Sequence, residues 1–210
     1  MHKLFSYDNK FFTFMGKIAD LMILNLLCII CCLPIITAGA SVTALYYVAM
    51  KIVRNEDSSI IKLFFHAFRN NLKQSTIIHL ILLCIGSVIT LNYYFINKIS
   101  AEFYFLNLGR CILLIASFLF FAVVTYIFPI LAQFYNTVKN TFRNALLMSI
   151  RHILCTLVLL LITIIPFVLM LINEYLFSYI MLYYLLMGFG VMAYLHSLIF
   201  VKIFSKYITV

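Results

Sequence analysis

Four stretches of this chain, 75–96, 111–133, 153–172 and 179–201, each run for about twenty residues with almost no charge, the length at which a helix crosses the hydrocarbon core of a bilayer. With 66% hydrophobic and 10% charged residues in 210, the chain has more apolar surface than one water-soluble core hides. Backbone groups in lipid must be satisfied within the segment that carries them. The fold class is therefore all-α: a polytopic transmembrane helix bundle of five to six membrane segments. It is read as one integral membrane domain over 1–210.

The number of segments turns on residues 27–41, "LCIICCLPIITAGAS". A cleaved signal peptide is one reading, with Lys3, Lys10 and Lys17 as its basic region, 21–33 as its apolar region and Ala38 to Ala40 as its small-residue site. Against cleavage, the following "SVTALYYVAMKIV" is itself apolar and helical in pattern. A single crossing over 11–33 would leave the basic stretch 51–73 outside, contrary to the bias of Lys and Arg toward the cytoplasm. A turn at "LPIITAGA", with 41–54 returning as a short or partly re-entrant second segment, puts that stretch inside. Six segments and two cytoplasmic termini then follow. Thirteen of the fifteen basic residues face inward, with Lys98 and Arg110 outside.

Pro34 cannot continue a helical hydrogen-bond ladder. Gly39 lets backbones approach closely, and Thr37, Ser41 and Thr43 are placed to bond freed backbone groups. Asn25 is a polar group within the first span, suited to bonding across helices. "FRNNLKQ" from Phe68 and "FRNALLM" from Phe142 are similar and each leads into a span, which makes 41–96 and 111–172 a possible parallel repeat.

Lys62, His66, Arg69 and Lys73 follow one another at helical spacing, with Ile61, Phe64, Phe65, Phe68 and Leu72 largely opposite. They are expected to form a short amphipathic elbow helix at the cytoplasmic surface, its basic face toward anionic headgroups of the inner leaflet or a partner. Lys139 and Arg143, with Arg151, form a weaker second elbow. Asp20 lies three residues after Lys17, a spacing that predicts an ion pair. His79 and His196 are expected to bond neighbouring helices, not a haem or metal.

The six cysteines, Cys28, Cys31, Cys32, Cys84, Cys111 and Cys155, all lie in or beside apolar runs and are read as reduced packing residues. The sequence has no phosphate-binding loop, no H-E-x-x-H, no G-x-S-x-G and no second C-x-x-C to complete a zinc site. No acid pair has general acid/base spacing. The expectation is a non-enzyme with no catalytic, cofactor-binding or metal residues and no cofactor. The net charge of +9 reads as membrane orientation and not nucleic-acid binding, since no soluble basic module is present.

The series Asn25-Leu26-Leu27, Leu33-Pro34, Thr37, Gly39-Ala40 and Thr43-Ala44-Leu45, followed by Phe65, Phe68, Arg69 and Asn70, resembles the YesL-like family of bacterial integral membrane proteins. The later "FPILAQF" at 128–134 extends the resemblance along the chain. It implies a multi-pass protein of the bacterial plasma membrane, without an assigned activity, that is an accessory or assembly component of a carbohydrate ABC-type uptake system. Its partners would be transporter subunits. The sequence lacks the E-A-A…G coupling pattern of a permease. The alternatives are a self-sufficient small transporter or channel, and a membrane enzyme acting on lipid or lipid-linked sugar.

Overall fold

The apolar runs fold as helices, and the breaks fall where the sequence supplies proline or polar residues. The computed structural model describes residues 10–56, 59–98 and 104–207. In chain order they form α1 (Lys10–Cys32), a 3-10 turn (Ile35–Thr37), α2 (Ala38–Val53), α3 (Ile60–Lys98), α4 (Tyr104–Gln133), α5 (Val138–Arg151), α6 (Ile153–Ile172), α7 (Glu174–Tyr183), a π turn (Tyr184–Gly188) and α8 (Phe189–Phe204). No strand occurs among the described residues. Six helical stretches are long and apolar enough to cross a membrane, with α7, the π turn and α8 counting as one. This agrees with the expected all-α bundle.

The axis of the bundle is α2, which packs on α1, α3, α4 and α8. Lipid is as apolar as a leucine side chain, so helices in it associate through close packing and polar contacts, and small residues favour both. Gly39, Ala40, Ser41, Thr43 and Ala44 supply such a surface, and all five are buried. A methyl group on Gly39 would lie 2.6 Å from the Ser75 carbonyl oxygen and 2.8 Å from His79 Cβ, so only glycine lets α2 sit this close to α3. On one side of α2, Leu45 and Val48 join Leu24 and Phe64 in a buried cluster. On another, Met50 joins Ile78, Tyr126 and Phe200.

The first basic elbow departs from expectation. Residues 61–73 are not a separate helix but the opening of α3, which continues unbroken for 39 residues, about 58 Å. No proline interrupts it, and two of its polar residues near the junction bond within the helix: Asn71 to the Ala67 carbonyl at 3.0 Å and Ser75 to the Asn71 carbonyl at 2.6 Å. The second elbow is a helix of its own. Thr137 caps α5 by accepting from Asn140 N–H at 3.4 Å, and at its other end His152 (φ −111°, ψ 46°) breaks the chain before α6.

The α1–α2 hairpin turns against the middle of α3, where Thr76 donates to the Ile36 carbonyl at 3.3 Å. From Thr76 to Lys98, α3 runs on for about 33 Å. That part packs with α4, where Gly86 faces Phe120 and Gly109 faces Ile96. At 16 residues α2 is about 24 Å long, less than the hydrocarbon thickness of about 30 Å. The turn itself is apolar and open: Leu33 is 76% exposed, Ile35 70% and Ile36 61%.

Candidate functional site

At the end of α1, Pro34 takes an extended conformation (φ −75°, ψ 112°) and the last carbonyls of the helix lose their partners. Nearby hydroxyls take them up. Thr37 Oγ1 is within donating distance of the Cys31 and Pro34 carbonyls, at 2.8 and 2.9 Å, and Ser41 adds a bond to that of Cys28, still within the α1 ladder, at 3.1 Å. Thr43 has a different role from the one expected. It bonds the Gly39 carbonyl within α2 at 2.8 Å and fills a buried position.

Asn25 is fully buried and holds the last membrane helix at its irregular point. Its amide donates to the carbonyls of Tyr184 (3.2 Å) and Leu185 (2.9 Å), and its oxygen accepts from Gly190 N–H at 3.1 Å. These are backbone groups at the π turn, where the i→i−4 ladder is interrupted. Gly190 makes the approach possible, because a methyl group there would lie 2.6 Å from the Leu21 carbonyl oxygen.

His196 bridges three helices. Thr163 Oγ1 donates to the Leu159 carbonyl at 2.9 Å and lies 3.4 Å from His196 Nε2, which assigns the ring proton to Nε2. Nδ1 then accepts from the Tyr46 hydroxyl at 2.9 Å, and the two rings stack. The histidine is bonded to neighbouring helices as the sequence led us to expect. Sequence reasoning did not identify Tyr46 or Thr163 as its partners, and nothing in their spacing marks them. His79, by contrast, lies with its Cβ against Gly39 at the α2–α3 contact.

The basic residues gather at the end of the bundle where α2, α4 and α8 finish. Lys62, His66, Arg69 and Lys73 are all exposed on one face of α3, and His66 Nε2 accepts from the Asn70 amide at 3.0 Å. Lys139 and Arg143 are exposed on α5 beside the open side chains of Leu146, Leu147 and Ile150, while Thr141, Ala145 and Ser149 pack inward. That division suits a helix lying at an interface. The expected Lys17–Asp20 pair is replaced: Lys17 donates to Asn55 Oδ1 at 2.8 Å, and Asn55 adopts a left-handed backbone (φ 55°) that presents it. Arg54 donates to Gln133 Oε1 at 2.8 Å, joining α2 to α4, and Lys51 pairs with Glu56 at 2.9 Å.

At the α5–α6 junction His152 Nε2 lies 2.9 Å from the Tyr207 hydroxyl. Partial burial, followed by the charges of Lys206 and Arg151, holds its imidazolium below the ordinary range. The cysteines are free, and Cys28 and Cys32 lie with their sulfurs 3.9 Å apart. Among the described residues no group of three or more His, Cys, Asp or Glu is placed to hold a metal ion.

Fold and site together define a multi-pass helical protein of membrane type, organised on a short central hairpin. Residues 21–93, from within α1 to near the end of α3, match a family described as a protein of unknown function, DUF624. This is the part of the chain that holds the Asn25, Pro34, Thr37, Gly39 and Thr43 series and the basic face of α3. No curated protein and no solved structure matches the chain.

Proposed function

We propose that this chain is a non-catalytic accessory or assembly subunit of a carbohydrate ABC-type uptake system in the bacterial plasma membrane, with both termini cytoplasmic. The observation that carries the reading is the exposed basic face of α3. Lys62, His66, Arg69 and Lys73 project from a helix that is rigidly continuous with a membrane span, a form suited to docking on a partner at the anionic inner leaflet. Lys139 and Arg143 add a second basic face. The resemblance to YesL-like proteins supplies the class of partner.

A self-sufficient transporter would use the Pro34 break as a solute site, as discontinuous helices do elsewhere. Here Thr37 and Thr76 occupy carbonyls of that break, which favours the accessory reading. The test is co-purification with tagged transporter subunits in several detergents. Recovery together, lost on charge reversal at Lys62, Arg69 and Lys73, is expected; recovery of the protein alone in every detergent would contradict the proposal.

A further inference from the structure

A second feature lies at the basic end, behind the α3 face. A cavity of about 290 Å³ opens where the last turn of α2, the first half of α3 and the end of α4 meet. Its charged lining is Lys51, Arg54 and Glu56, two cations against one carboxylate. The cations are held in place: Lys51 Nζ lies 2.9 Å from Glu56 Oε2, and Arg54 is fixed by Gln133 Oε1 at 2.8 Å, with Glu56 Oε1 farther off at 3.8 Å. Their side chains are only 26% and 30% exposed, so the charges are sheltered as well as positioned.

Across the opening, α3 contributes His66, Asn70 and Asn71; the Asn70 amide donates to His66 Nε2 and that of Asn71 to the Ala67 carbonyl, each at 3.0 Å, which leaves each amide a second N–H. Ammonium, guanidinium and amide groups converge from two helices, while α4 fixes the guanidinium from the third. Among the charged groups of the lining the two cations exceed the one carboxylate. A carboxylate offers two oxygens to such a site. A phosphate monoester offers three non-bridging oxygens in a tetrahedral array and a diester two, and arginine binds either in bidentate fashion.

We propose that this cavity binds a phosphate mono- or diester group. The group can arrive as the headgroup of an anionic lipid or as a soluble phosphorylated compound, and the inference stands whether or not the chain docks on a transporter. Glu56 opposes the ligand by occupying Lys51, so the site binds by exchanging that carboxylate for the phosphate.

The test uses the full chain, with inorganic phosphate titrated by calorimetry in detergent and phosphatidylglycerol retention read by native mass spectrometry. Saturable binding of phosphate identifies a soluble ester as sufficient; retention of phosphatidylglycerol alone identifies the lipid headgroup. In either case Lys51→Gln and Arg54→Gln should weaken binding about tenfold or more, the scale of a charge-assisted contact. Lys202→Gln, an exposed charge on α8, should leave it unchanged. If the first two variants fail to fold, Glu56→Gln decides: releasing Lys51 should tighten binding several-fold. The proposal is overturned if neither probe binds, if Lys51→Gln and Arg54→Gln bind as the parent does, if Lys202→Gln weakens binding equally, or if Glu56→Gln binds no better.

Discussion

Asn25 shows how much a single polar side chain can organise in a bundle whose surroundings offer no water. It satisfies groups of a helix 159 to 165 residues away, and without it Gly190 N–H would be left facing an apolar neighbour. Asn25→Leu is expected to cost about 1–3 kcal/mol, the penalty for a buried group left unpaired. The check is the thermal midpoint in detergent, and an unchanged midpoint would show that the π turn does not depend on the clamp. Its polarity within a span was legible in the sequence. Its partner was not, because the π turn exists only where Gly190 meets α1. Thr37 was more legible, since Pro34 and its freed carbonyls lie within six residues.

The other residue-scale prediction concerns pH. His152 titrates below its ordinary 6.5 in the folded protein, so between the two values the unfolded chain binds more protons. Its contribution to stability is complete above about 6.5 and is lost as pH falls through the folded value. The thermal midpoint should therefore drop between about pH 7.5 and about pH 5. His152→Gln should flatten that dependence. A slope identical in the two proteins would remove His152 as its source.

At the scale of elements, the α1–α2 hairpin carries the more informative feature. Leu33, Ile35 and Ile36 are open to the surroundings although they form a turn, and α3 extends about 33 Å past the point of contact. Such a turn belongs in hydrocarbon, where irregular backbone persists only if its polar groups find partners. In a background without native cysteines, Ile35→Cys should resist a membrane-impermeant maleimide from both faces of the membrane. Labelling from the face opposite the basic end would mean that the hairpin crosses fully. That 41–54 returns as a second helix was readable from its apolar pattern and from the charge of 51–73. The continuity of α3 was not, because helical periodicity marks which face is basic but not where a helix stops. That was decided by packing, with α2 covering Phe64 and Ala67 on one side of the junction and Ser75 and Ile78 on the other.

Across the whole molecule, charge and packing divide the protein into two unlike ends. Lys51, Arg54, Lys62, Arg69, Lys139, Arg143, Arg151 and Lys202 lie toward one, with the ion pairs and the cavity beside them; Lys98 and Arg110 lie toward the other. Residues 1–9 and 208–210, which carry the expected cytoplasmic termini, fall outside the described residues. The proposed docking face requires the basic end to be cytoplasmic. The most direct measurement is labelling of single cysteines with an impermeant maleimide on spheroplasts and on inverted vesicles, again in a background without native cysteines. Lys62→Cys should react only in inverted vesicles and Lys98→Cys only on spheroplasts. Reaction of Lys62→Cys on intact spheroplasts would contradict the orientation on which the proposed docking rests.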